Sequence, residues 1–148
     1  MSSPRKITAA KRVQYGALPY RLTARSRPHF MLVTSRETRR WIIPKGWPKK
    51  KGKSPHHSAA REAFEEAGVE GAVARRSVGS FSYEKRLRNG GAVVCKVRVF
   101  PLEVTHQNRQ WPEKRERVVK WLSASQAAEK VKEPKLSAII LRLARKYD

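Results

Sequence analysis

Between residues 41 and 69 the chain reads Trp-Ile-Ile-Pro-Lys-Gly-Trp-Pro-Lys-Lys-Lys-Gly-Lys-Ser-Pro-His-His-Ser-Ala-Ala-Arg-Glu-Ala-Phe-Glu-Glu-Ala-Gly-Val. No other stretch limits the fold as much. Trp41, Ile42 and Ile43 make a short apolar strand, and Pro44 stops it because proline has no N–H to give to a sheet. A lysine-rich loop follows. Ser54 then stands as an N-cap and Pro55 at the first helical position. The helix is expected to run to about Ala67, with Gly68 in the left-handed position that ends a helix. Ala59, Ala60, Ala63, Phe64 and Ala67 recur at three- and four-residue spacing, a narrow face whose small side chains let the helix lie close to a sheet.

The rest of the chain supplies that sheet. Residues 13–22 read as a strand, interrupted or at an edge because of Pro19. Residues 29–34 form an apolar run of buried-strand length. Residues 73–82 and 92–105 are strand-like, separated by a basic turn whose Asn89-Gly90-Gly91 is a strong turn signal. Val93, Cys95, Val97 and Val99 alternate with Lys96 and Arg98, as in a half-buried strand. Residues 106–117 read as a polar loop and 118–122 as a short strand. Ser123 is expected to cap a helix to about Val131, and Pro134 to open a last one striped by Leu136, Ile139, Ile140 and Leu143. Strands and helices interleave without strict βαβ repetition, which predicts an α+β mixed sheet flanked by helices. Residues 1–12 are expected to be a flexible basic arm and 13–148 a single domain.

Composition narrows the partners. The 148 residues hold 34 Lys and Arg against 12 Asp and Glu, a formal net charge of +22. A chain so cationic attracts polyanions such as nucleotides, polyphosphates or nucleic acid. No apolar run approaches the roughly 20 residues that span a bilayer, so no membrane association is expected. Cys95 is the only cysteine. No internal disulfide can form, and a reduced, cytoplasmic setting is the expectation. Its apolar neighbours make Cys95 a buried small hydrophobe rather than a nucleophile.

Against that positive background Glu62, Glu65 and Glu66 cluster on the helix, projecting within an arc of roughly 100°. Glu62 and Glu66 are one turn apart, where like charges repel by a few tenths of a kcal/mol. Arg61 can pair with Glu65 at i,i+4. A hard divalent cation would compensate further, and oxygen ligands of this kind suit magnesium or manganese, which bridge to substrate phosphates. Lys45, Lys49, Lys50, Lys51 and Lys53 are candidates to meet those phosphates, Lys45 above all because of its place in the Pro-Lys-Gly turn. Arg86 and Arg88 on the basic turn are further candidates. Glu65, Glu113 and Glu116 are candidates for the base that activates water. His56 and His57 point about 100° apart on a helix and do not chelate jointly with ease. Trp41 and Trp121 read as core, while Trp47 and Trp111, beside prolines in polar loops, are candidates to stack on a base.

These residues resemble a known family. The run from Arg61 to Val69, Arg-Glu-Ala-Phe-Glu-Glu-Ala-Gly-Val, is similar to the core of the Nudix box. Pro44-Lys45-Gly46 resembles the box's opening glycine in the subgroup of diphosphoinositol polyphosphate and diadenosine polyphosphate phosphohydrolases. Phe100-Pro101-Leu102-Glu103-Val104, Trp111-Pro112-Glu113 and Lys120-Trp121-Leu122 extend the likeness over about residues 13–143. The resemblance implies an α/β/α sandwich with a central mixed sheet. It also implies metal-dependent hydrolysis of a pyrophosphate bond in a nucleoside diphosphate-linked substrate. By that resemblance Glu62, Glu65 and Glu66 bind Mg2+ or Mn2+, Arg61 orients a glutamate, and Gly46 and Gly68 shape the loop–helix–loop. One departure stands out: the glutamate usual eight residues before the arginine is Lys53 here, in a loop one residue longer than the standard spacing.

Two functions follow. A pyrophosphohydrolase acting on a highly charged substrate, a diadenosine polyphosphate or an inositol pyrophosphate, accounts for both the glutamates and the lysines. A non-catalytic module on the same fold, binding RNA or nucleotide through its basic surface, is the alternative.

Overall fold

A computed structural model of the chain describes residues 12–48 and 53–148. Lys49, Lys50 and Lys51, and the arm expected at residues 1–12 apart from Arg12, lie outside the described residues. Among those described, eight strands and three α-helices follow in order: β1 (Val13–Leu22), β2 (Pro28–Thr34), β3 (Trp41–Ile42), β4 (Lys45–Gly46), α1 (Pro55–Ala67), β5 (Val69–Val73), β6 (Gly79–Arg86), β7 (Ala92–Gln107), β8 (Val119–Ser123), α2 (Ala124–Lys130) and α3 (Pro134–Arg145). All eight strands belong to one sheet, in which β1 and β7 run parallel and every other pair antiparallel. The mixed sheet expected from the sequence is therefore present.

The feature that makes the site is a fork. β1 and β2 pair only from Tyr20↔Phe30 to Leu22↔Pro28. Beyond that point they diverge, and residues 41–46 enter the wedge. This segment pairs first with β2 (Val33↔Ile42, Thr34↔Trp41) and then with β1 (Tyr15↔Gly46, Gly16↔Lys45). Pro44 is the pivot between the two pairings, and its carbonyl still accepts from the Ala17 N–H at 3.0 Å.

The fork corrects one expectation. Pro19 neither interrupts β1 nor puts it at an edge: β1 is continuous and flanked on both sides. Ala17 and Pro19 direct their backbone nitrogens to the same side of the strand. On that side Pro19 lies between the end of the β4 pairing and the start of the β2 pairing, where no ladder donor is needed. Pro101 repeats the device within β7. It sits where β6 has ended (Gly79↔Val99) and β5 begins (Val73↔Leu102). The same gap corrects a second expectation, because residues 73–82 are not one strand. A bend at exposed Arg75 and Arg76 divides them between β5 and β6, which lie end to end along the 16-residue β7.

Helices cover both faces. Gly46, level with Tyr15, faces Glu62 of α1, whereas Gly79, level through Val99 with Gly16, faces Ile139 of α3. Side chains alternate along a strand, so α1 and α3 lie on opposite sides of the sheet, as an α/β/α sandwich requires. On α1 the small residues Ala59, Ala63 and Ala67 are fully buried, which brings the helix backbone near the sheet. Leu136, Ile139, Ile140 and Leu143 of α3 are buried as their spacing predicts. Ser123 caps α2 through a reciprocal pair of hydrogen bonds with Gln126. Cys95 is buried in β7. Trp41 and Trp121 pack on the core but remain half-buried; Trp121 carries Arg21 on its ring face at 4.2 Å. Among the described residues no helix is long and apolar enough to cross a membrane.

Candidate active site at the fork of the sheet

Helix α1 begins and ends where its sequence dictates. Ser54 has extended backbone angles, Pro55 opens the first turn, and Gly68 ends the helix at φ +73°. The Ser54 hydroxyl is spent on the His57 ring at 2.8 Å rather than on a backbone N–H. The burial of Ala59, Ala63 and Ala67 against the sheet sets the rotation of the helix, and that rotation turns Glu62 and Glu66 inward. Both are buried, at 4% and 6% exposure. Glu65 lies beside them and accepts from Arg61 Nε at 2.8 Å, the i,i+4 pair expected from the sequence.

Gly46 explains how Glu62 fits. A Cβ at that position would lie 2.3 Å from Glu62 Oε2 and 2.7 Å from Oε1. The carboxylate therefore rests against the bare Cα of β4, in space that only glycine leaves open.

Glu66 meets Arg117 at 3.4 Å. Arg117 also donates from Nε to Glu113 at 2.7 Å and from Nη1 to the Thr34 carbonyl at 3.0 Å. Burial dominates the titration of Glu66: its pKa is pushed up to about 8, raised also by Glu62 and Glu113, with Arg117 and Lys45 pulling it down. Burial likewise lowers the pKa of Lys45, against the pull of Glu66. The Lys45 ammonium sits 4.4 Å from the centre of the Tyr83 ring, a cation–π seat, and the Tyr83 hydroxyl donates to buried Gln14 at 2.8 Å.

Residues 108–117 are strapped over the C-terminal end of α1. The Trp111 indole donates to the Glu66 carbonyl at 3.2 Å, the Glu113 N–H to the Glu65 carbonyl at 3.0 Å, and Asn108 to the Gly68 carbonyl from both its backbone and its side chain. Trp111 also packs against Gly68, where a Cβ would lie 2.4 Å from the ring. Trp111 thus caps the helix end through its indole N–H and packs on Gly68. Gly68→Ala combines a strained positive φ with that clash and should cost roughly 2–4 kcal/mol of stability by denaturant unfolding.

The other sequence candidates divide. Glu113 comes to the site; Glu116 pairs with Arg36 at 2.8 Å on the outer side of the same strap. Lys53 and Trp47 are exposed. Arg86 and Arg88 are exposed on the β6–β7 hairpin, and the described contacts tie neither to the glutamates; the hairpin side chains that act on Lys45 are Tyr83 and Lys85. Sequence reasoning missed Arg117, one cation among 34, and Tyr83, whose alternation with Phe81 and Lys85 was the available signal. It also missed Gln14.

Residues 13–143 match the NUDIX domain family. The chain belongs to the Nudix family. Among curated Nudix relatives it is 28% identical to Nudix hydrolase 12, mitochondrial, of Arabidopsis thaliana, over 80% of this chain and 65% of that protein. It is 31% identical to Nudix hydrolase 21, chloroplastic, of the same plant, over 82% of this chain and 61% of that protein. It therefore spans about two-thirds or less of these relatives' length. The fold also matches that of a C. elegans Ap4A hydrolase, with TM-score 0.63, 17% identity, and coverage of 92% of this chain and 98% of that one.

Nudix hydrolases generally use divalent metal ions. The donors here fit such an ion by chemistry: three carboxylates on one helix, two of them buried where a hard cation would offset their desolvation. Among the described residues no three carboxylate, imidazole or thiol groups converge as a ready metal-binding set. Glu65 is turned to Arg61 and Glu66 to Arg117 instead.

Proposed function

We propose that this Nudix domain hydrolyses a pyrophosphate bond in a nucleoside diphosphate-linked or polyphosphate substrate, using Mg2+ or Mn2+ held by Glu62, Glu65 and Glu66. The observation that carries the reading is the burial of Glu62 and Glu66 one turn apart, at the fork that also presents Lys45. A hard divalent cation between these carboxylates would offset part of the cost of holding them out of water. The charge favours a highly anionic substrate, a diadenosine polyphosphate or an inositol pyrophosphate.

A bound divalent cation would neutralise pyrophosphate oxygens and acidify a water. The chain's own residues supply the rest. Gly46 leaves room for Glu62, and Arg61 holds Glu65. Lys45, seated on Tyr83 and flanked by the charge of Glu66, offers an ammonium to a phosphate oxygen. Glu65 and Glu113, whose segments are joined through the Glu113 N–H, are the candidates to take the proton from water.

The test is phosphate release from dinucleoside polyphosphates, inositol pyrophosphates and nucleoside diphosphate sugars, with magnesium and manganese in parallel. Glu65→Gln and Glu66→Gln should each lower turnover by roughly 10²–10³-fold. Unchanged turnover in both would overturn these roles. Nucleic-acid binding that survives chelation and falls steeply with salt, without hydrolysis, would favour the binding module instead.

A further inference from the structure

We propose that Arg117 serves as an internal cation for Glu66, which an incoming divalent ion must displace, and that Glu113 is the seat to which the guanidinium withdraws. This rests on the reading that Glu66 ligates the ion.

Three observations carry it. First, the Arg117 side chain is only 8% exposed, as is that of Glu66, so neither charge is met by bulk water. An unpaired carboxylate at that depth is costly, and Arg117 is the group in ion-pair contact with it. Second, the pair is the loosest of the guanidinium's three contacts: 3.4 Å to Glu66, against 2.7 Å to Glu113 and 3.0 Å to the Thr34 carbonyl. A planar fork of five N–H groups can release one acceptor and keep the other two. Third, the second seat does not drift. Glu113 is fixed by its own N–H to Glu65, two residues after Trp111 is fixed to the Glu66 carbonyl.

The consequence is a trade. In the metal-free protein Arg117 offsets part of the charge on the buried carboxylate and helps hold the strap on α1. When a divalent ion occupies Glu66, two cations share one carboxylate and repel. Affinity for the ion is then set below what the glutamates alone would give. A cation within a few ångströms lowers a carboxylate's affinity for a proton by about tenfold or more, and the same field acts on a divalent ion.

The test is Mn2+ binding by electron paramagnetic resonance on the full chain, without substrate, together with thermal unfolding in chelator. Arg117→Met should bind Mn2+ at least about tenfold more tightly than wild type. In chelator it should unfold roughly 10 °C lower, with most of that loss restored by Mn2+. Arg117→Gln, which keeps hydrogen bonding without the charge, carries the same expectation should the Met variant not fold. Glu113→Gln should weaken Mn2+ binding in the wild-type background and have no effect beside Arg117→Met. Binding by the Arg117 variants that is unchanged or weaker overturns the proposal. So does a Glu113→Gln effect of equal size in both backgrounds, which would make Glu113 a ligand in its own right. If Glu66→Gln binds Mn2+ as wild type does, the cation reading of α1 fails and this proposal with it; if Glu66→Gln weakens binding while the Arg117 variants do not tighten it, only the proposal fails.

Discussion

Gly46→Ala should lower turnover by roughly 10²-fold, although it adds only one methyl group. That methyl would lie within 2.3–2.7 Å of every atom of the Glu62 carboxylate. The carboxylate has to move, and at 4% exposure it has little space to move into. Backbone adjustment is constrained as well, because β4 is pinned to β1 through Tyr15↔Gly46 and Gly16↔Lys45. A displacement of about 1 Å in a positioned catalytic group is worth about that hundredfold. Overpacking of this kind costs roughly 1–3 kcal/mol, so the variant should fold. The measurement is steady-state hydrolysis beside denaturant unfolding. Turnover within threefold of wild type would mean that Glu62 needs no fixed position.

Glu66→Gln should have the other large effect, and its sign depends on pH. In chelator, burial holds the folded-state pKa of Glu66 near 8, above its ordinary value. The folded protein therefore binds this proton more tightly than the unfolded chain does. Stability is fully present below the ordinary carboxylate pKa and is lost as pH rises toward about 8, with a limiting slope of about 1.4 kcal/mol per pH unit. Glutamine has no such proton to lose. The variant should match wild type near pH 5 and exceed its stability at pH 8 by an amount on the order of a few kcal/mol, read from unfolding midpoints across that range. Parallel stability curves would show that Arg117 and Lys45 fully compensate the charge. Divalent cations should raise the alkaline stability of wild type and not that of the variant.

Much of the fold was legible because its signals are local. Ser54, Pro55 and Gly68 bound α1 within its own sequence, and the alternation from Val93 to Val99 marks β7. The errors share one cause. Pro19 looks like a strand breaker until neighbouring strands are known, and it stands where one partner strand has ended and another begins. The division of residues 73–82 between β5 and β6 depends on what β7 offers as a template, not on those residues themselves.

The candidate site divides the same way. Glu62, Glu65, Glu66 and Arg61 were readable because one helix carries all four at spacings that a 3.6-residue period brings together. Arg117 and Tyr83 were not, since they reach the site from loop and β-strand segments 51 and 17 residues beyond Glu66 in the chain. Nothing local separates Arg117 from the other cations. By itself the sequence determined which helix gathers negative charge in a positive chain, and where that helix starts and stops. Only the tertiary structure decided how the charge is handled: β1 and β2 part, β4 fills the wedge with a glycine that admits one carboxylate, and a strap across the helix end brings an arginine to another. Helix periodicity is a short-range property, whereas burial and ion pairing depend on which distant segments are packed against the helix.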